Sequence, residues 1–202
     1  MDGNRSVRGN LALNPGEAHR LGGRSGGGKT TLLRAVSLLS PRKSGEVFFR
    51  GKESAEFQPW EWRRQVCYLA QKPVMLPGSV RDNLALPSTL KIAGKSSFNC
   101  EKCEELLTGL GLEKSLLDRD SAVISGGEAA RIAVIRAVLS NPSVILADEI
   151  TAPLDDENAL HVVKFLKKWL QEGERGLIFV AHQNEAWEGT VCCESDVENF
   201  QT

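Results

Sequence analysis

The chain of 202 residues has no apolar run near the ~18 residues that a bilayer span requires. Its opening MDGNRSVRGN lacks the apolar core of a secretion signal. Its 25 lysines and arginines stand against 26 acidic residues and form no basic stripe, which argues against a nucleic-acid-binding surface. The five cysteines (Cys67, Cys100, Cys103, Cys192 and Cys193) are odd in number. CEKC at 100–103 has metal-ligand spacing but no second pair at a suitable distance, so the thiols read as reduced. Aromatic residues make up 6% of the chain, and none lies before Gly23. There is no internal repeat and no low-complexity segment. What these absences leave is a soluble, cytosolic chain forming one domain, or one domain with an inserted lobe.

What is present is an alternation of strands and helices. GEAHRLGGRSGGGKTTLLRAVSLL reads as a strand (Ala18 to Leu21), a glycine-rich loop, and a helix from Lys29 that turns Leu32, Leu33, Val36 and Leu39 inward. GEVFFRGKE (45–53) is a strand of the sort that extends a small antiparallel sheet, and VCYLAQ (66–71) is an apolar strand that stops at Gln71. From Lys72 to about Ser121 the pattern is helical and polar. In ISGGEAARIAVIRAVLS (124–140), Ile132, Ile135, Val138 and Leu139 fall near one helical face, and Ser125 with Glu128 makes a capping-box pattern. SVILADE (143–149) and GLIFVAH (176–182) are continuous apolar runs of buried parallel-strand type, separated by an amphipathic helix. The polar tail after His182 shows no clear strand-and-helix extension. The pattern predicts an α/β fold with a mostly parallel central sheet, a small antiparallel β subdomain and an inserted helical lobe, and G-x-x-x-x-G-K-[ST] at 23–30 places it in the P-loop NTPase class. A single domain is expected over 1–202, with its core at about 16–72 and 141–182, its lobe at about 73–140, and a shortened N-terminal strand region.

The chemistry gathers on a few motifs. Gly23-Arg24-Ser25-Gly26-Gly27-Gly28-Lys29-Thr30 matches G-x-x-x-x-G-K-[ST] between a strand and a helix, as that phosphate loop requires. Its glycines let backbone N–H groups wrap phosphate oxygens, the helix N-terminus adds a positive dipole, and Lys29 adds a point charge. The Thr30 hydroxyl is placed to ligate magnesium, and Thr31 follows among the candidate nucleotide contacts. Asp148 ends an apolar strand, where it can hold magnesium through water, and Glu149 directly after it can polarise an attacking water. Gln71 and His182 end their own strands on the same sheet edge, within reach of magnesium and the γ-phosphate; parallel sheets bind ligands there. His19 and His161 read as structural. The two glycines of ISGGE cost roughly 1 kcal/mol each relative to alanine, at a helix start that carries no lysine.

Together these pieces resemble the ATPase domain of an ABC transporter: GGRSGGGKT as Walker A, YLAQKP as the Q-loop, ISGGE as the signature, VILADE as Walker B, TAPLD as the D-loop and VAH as the switch histidine. The wording of WRRQVCYLAQKPVMLPGSVRDNLALP and LADEITAPLDDEN is similar to the small ATP-binding subunits of bacterial iron-export-type systems, which are related to plant aluminium-tolerance half-transporters. The resemblance implies ATP and Mg2+ as cofactors and two copies paired head to tail. Ser125, Gly126, Gly127 and Glu128 of one copy, with Asp155, would then face the nucleotide on the other copy's Lys29. It also implies a separate transmembrane permease docked near Gln71, so that the chain sits on the cytoplasmic face of the membrane only through that partner. Where the family stacks an upstream aromatic residue on adenine, this chain has none, which predicts affinity weaker by about 1–3 kcal/mol. Two readings compete with the transporter subunit: a soluble ATPase of the same type, and a regulatory module with little turnover. Lys29, Asp148, Glu149 and His182 all being present argues against the latter.

Overall fold

The computed structural model describes residues 5–89, 98–181, 185–187, 189 and 193–201. In chain order these form β1 (Arg5–Arg8), β2 (Ala18–Gly22), α1 (Lys29–Val36), β3 (Phe48–Phe49), β4 (Lys52–Glu53), α2 (Pro59–Gln65), β5 (Val66–Leu69), α3 (Val80–Thr89), α4 (Cys100–Gly109), α5 (Gly126–Leu139), β6 (Val144–Asp148), α6 (Asp156–Gln171), β7 (Gly176–Val180), β8 (Cys193–Asp196) and β9 (Glu198–Gln201), with short 3-10 turns between. The apolar runs of β6 and β7 are buried on both faces, and they form the middle of a five-stranded parallel sheet ordered β5-β6-β7-β2-β8. Helices cover it because a parallel sheet must hide both faces.

The small antiparallel sheet is the hairpin β3–β4, turned by Arg50 and Gly51, both at positive φ. Phe49, Phe57 and Trp62 meet edge-on behind it, and the Trp62 indole N–H donates to the Val36 carbonyl at 2.8 Å, tying α2 to the end of α1. A second group of helices gathers around α5, which packs on α3, α4, α6 and β5.

Three expectations change. Helix α5 buries Ala130 through Ile135 and Ala137, not one stripe, because it runs through the middle of the helical layer and meets neighbours all round. Leu39 is 43% exposed: α1 ends at Val36, and Leu38 at φ 56 turns the chain away before Leu39 can follow the inward face. The polar C-terminal tail does carry strands. β8 lies parallel on β2, and β9 pairs antiparallel with β1, so the edge of β2 that faced exposure is covered. The alternation rule misses such strands because edge positions tolerate polar side chains on both faces.

Ile145, fully buried in β6, reports on the sheet. Ile145→Ala should cost about 2–5 kcal/mol and Ile145→Val about 0.5–1.5 kcal/mol in urea unfolding, with the slope unchanged.

Candidate active site

Parallel pairing brings the C-terminal ends of β2, β5, β6 and β7 to one edge. Beyond β2 runs the loop from Gly23 to Gly28, where Gly23, Gly26 and Gly28 adopt φ 113, 72 and 88. A Cβ at Gly27 would stand 2.6 Å from the Arg24 carbonyl, the group that accepts the Gly27 N–H at 2.9 Å. Gly27 is therefore fixed as glycine by a close approach, while Gly26 faces open space. The Lys29 ammonium reaches back over the loop to the carbonyls of Gly23 (2.8 Å) and Arg24 (3.0 Å). Arg24, Ser25, Thr30 and Thr31 are exposed, so the loop is a ring of backbone donors closed by one movable cation. A cleft of about 340 Å³ opens beside it, lined by Arg20, Gly22, Gly23, Lys29, Ala181 and Glu194.

Asp148 is the last residue of β6 and only 2% exposed. The Tyr68 hydroxyl donates to its Oδ2 at 2.8 Å, and burial together with that bond pushes the Tyr68 pKa well above the ordinary phenol value. Glu149 follows at φ 50, a strained backbone for a non-glycine residue that costs about 1–3 kcal/mol. Its N–H still donates to the Val180 carbonyl at 3.0 Å. Gln71 stands two residues beyond the end of β5, not at the strand's last position, and its amide donates to Glu149 Oε2 at 2.9 Å. Asp148, Glu149, Tyr68 and Gln71 thus form one acidic cluster at the sheet edge. His182 lies outside the described residues; Ala181 before it lines the cleft. His19 is structural as expected: it is buried in β2 and bonded to the Ser195 hydroxyl at 3.0 Å.

The ISGGE stretch begins α5. Ser125 accepts the Glu128 N–H at 3.2 Å and Glu128 Oε2 accepts the Ser125 N–H at 2.7 Å, so both halves of the capping box are made. That backbone bond, aided by Arg119 at 3.4 Å, holds the Glu128 carboxyl below its ordinary pKa. Gly126 faces open space, whereas a Cβ on Gly127 would touch Leu154 at 3.4 Å. The buried Arg131 guanidinium donates to the carbonyls of Gly127, Leu110 and Gly111 and to Asn158. Asn158 in turn donates to both carboxylate oxygens of Asp155, its N–H and its side-chain amide each at 2.8 Å, which caps α6 and lowers the Asp155 pKa. One chain of bonds therefore ties the ISGGE helix start to Asp155. Sequence reading missed Tyr68 and Asn158, and the bonds that Arg131 makes. Nothing local marks Tyr68 or Asn158.

The box sets a pH dependence. With its folded pKa depressed below 4.5, Glu128 contributes stability that is present above pH 4.5 and lost as the pH falls through the folded value. Glu128→Gln keeps an acceptor for the Ser125 N–H and should flatten this part of the urea-midpoint profile between about pH 6 and about pH 3. Ser125→Ala should cost about 1 kcal/mol at neutral pH.

The ABC transporter family model matches residues 8–152. The probable iron export ATP-binding protein FetA of Escherichia coli is 33% identical over 176 residues, covering 87% of this chain and 77% of FetA. The methionine import ATP-binding protein MetN of Cupriavidus metallidurans is 38% identical over 180 residues, 87% of this chain and 52% of MetN. The same region spans only 13% of the ABC-type transporter kk1G of Curvularia clavata. The dimeric post-hydrolysis structure of the ATP-binding cassette MJ0796 with ADP and Pi superposes with a TM-score of 0.75 at 27% identity, over 86% of this chain and 78% of that one. Phosphate loop, ISGGE helix and acid pair in this order along the chain agree with all of these, and the chain belongs to the ABC transporter family as one of its ATP-hydrolysing nucleotide-binding domains.

Proposed function

We propose that this chain is the ATP-hydrolysing subunit of a transporter, working as a head-to-tail dimer that closes on ATP and docks on a separate transmembrane permease from the cytoplasmic side. Its parts are a core at about 16–72 and 141–182 and a helical lobe at about 73–140. The observation that carries the reading is that each chain holds two separate glycine-rich stretches that open helices. The loop of Gly23–Lys29 is closed by its own lysine, and the ISGGE helix start is tied to Asp155. Among the described residues no hydrogen bond or ion pair joins residues 125–128 to residues 23–31. A second copy can complete each. The dimeric MJ0796 cassette with ADP and Pi supports that arrangement.

In this reading the Lys29 ammonium leaves the Gly23 and Arg24 carbonyls for the β- and γ-phosphates, and the N–H groups from Gly23 through Thr31, with the side chains of Arg24 and Ser25, surround them. Thr30, Gln71 and Asp148 would hold magnesium, which spreads the phosphate charge when bound. Those residues suit a hard cation: an exposed hydroxyl, an amide, and a carboxylate whose other oxygen Tyr68 already fixes. Glu149 takes a proton from the attacking water once Gln71 releases it, and His182 contacts the γ-phosphate. The partner's face, Ser125, Gly126, Gly127 and Glu128 with Asp155, closes the site; its N–H groups and helix dipole face phosphate without needing a lysine. The finer proposal of metal-ion export, iron in particular, rests on the FetA likeness, with MetN marking methionine import as the competing cargo. No helix among the described residues is long and apolar enough to cross a membrane, so the transport path is assigned to the permease.

Glu149→Gln should lower turnover by about 100-fold or more while leaving ATP binding intact, and ATP should then hold the variant as a dimer in sedimentation velocity. Lys29→Ala should lose ATP binding in calorimetry. An inactive Glu149→Gln chain that stays monomeric in ATP would sink the sandwich.

A further inference from the structure

The CEKC segment finds no role in nucleotide chemistry, yet the fold gives it an unusual setting. Cys100 is the first residue of α4, partly exposed, and Asn99 caps the helix by accepting the Lys102 N–H at 2.9 Å. Arg81, from α3, donates through Nη1 straight to the Cys100 sulfur at 2.9 Å, and its other nitrogens grip Asp118 at 3.1 and 2.8 Å. Among the described residues the other charges of this turn are Glu101, Lys102 and Glu104, whose Oε1 accepts from the Cys100 thiol at 3.7 Å and whose Oε2 pairs with Lys114 at 3.0 Å. The sulfur therefore receives one N–H from a guanidinium at the first position of a helix, while the carboxylates of Asp118 and Glu104 are each held by a cation. Cys103 lies one turn further on, fully buried in the apolar core, where burial pushes its thiol up to about 11. A partly exposed thiol under a guanidinium, beside a buried one, is the arrangement of a reacting and a resolving cysteine. Among the described residues no group of three or more metal-ligating side chains is present, so the pair has no companions for a metal.

We propose that Cys100 and Cys103 form a redox-active dithiol in the helical lobe, oxidised by hydroperoxides to an internal disulfide. The Cys100 sulfur attacks the peroxide O–O bond and gives up its proton. It takes one oxygen to become the sulfenic acid and releases the other as alkoxide or hydroxide, which is protonated to alcohol or water. The Cys103 thiol then attacks the sulfenic sulfur, the S–S bond forms, and the hydroxyl leaves with the Cys103 proton as water. Two thiols and one hydroperoxide thus give one disulfide, one alcohol and one water, and a dithiol reductant reverses the change. Helical neighbours three residues apart have Cβ atoms about 5–6 Å apart, against about 3.8 Å in a disulfide. The first turn of α4 must tighten, at the expense of the Asn99 cap. The end of a helix can do so because its first N–H groups have no partners within the helix.

The test exposes the full-length chain to hydrogen peroxide and follows it by peptide mass mapping. The wild type should lose two hydrogens in one cross-linked Cys100–Cys103 peptide, reversed by dithiothreitol, before exposed Cys193 reacts. Cys103→Ser should instead accumulate one oxygen at Cys100, trapped by a dione probe, and Cys103→Ala serves if the serine unfolds the core. Arg81→Gln should slow the first step about tenfold. Asp118→Asn, which breaks the same ion pair but leaves Arg81 on the sulfur, should not slow it. Amide exchange at Lys102 should rise on oxidation. Oxidation of Cys100 no faster than of Cys193, a bridge from Cys100 to any other cysteine, or equal slowing by Asp118→Asn would overturn the assignment.

Discussion

Strand β6 pairs in parallel with β5 on one side and β7 on the other, and the chemistry of the chain depends on that double pairing. Its register sets Ala147 opposite Leu69 and Asp148 opposite Val180, so β5 stops one residue short of the aspartate and the chain can turn back with Gln71. Asp148 remains in the ladder and is buried, which is why a tyrosine from the neighbouring strand can hold one of its oxygens. Glu149 lies just past the ladder. Its N–H is still bound to β7 while its φ is forced positive, so its carboxylate is swung out to where Gln71 meets it. A strained residue at such a place is a common mark of function.

A second constraint acts across the helical layer. A guanidinium that is 8% exposed needs acceptors for nearly all its N–H groups, and Arg131 finds them on the carbonyls of Gly127, Leu110 and Gly111 and on Asn158. The ISGGE helix start and the Asp155 cap of α6 are thereby made to move together. For the proposed surface against a second subunit's phosphate, rigidity of this kind would lower the entropy lost on closure.

Much of this could be read from the residues alone. The phosphate loop, the acids ending an apolar strand, and a glycine-rich capped helix are local patterns, and local patterns survive in a sequence. The apolar runs of β6 and β7 announced a buried parallel sheet for the same reason. What stayed hidden are pairings between residues far apart: Tyr68 with Asp148, Gln71 with Glu149, Arg131 with Asn158, Arg81 with Cys100. Periodicity also misjudged α5, whose alanines let it sit among neighbours on every side, and it missed β8 and β9, whose edge positions accept polar residues. The two glycines at the start of α5 have different surroundings. A Cβ on Gly127 would only come into ordinary contact with Leu154, and Gly126 is left open to whatever approaches from outside.

The central claim is that each nucleotide site is shared, its loop from one subunit and its ISGGE face from the other. Mixing two inactive chains tests it most directly. Lys29→Ala removes the loop cation, and Gly126→Asp places a negative charge in open space on the ISGGE face without disturbing the fold. In a head-to-tail heterodimer one site carries both defects and the other carries neither, so an equimolar mixture should recover about a quarter of the wild-type ATPase rate. A mixture that stays as inactive as either chain alone would contradict the account.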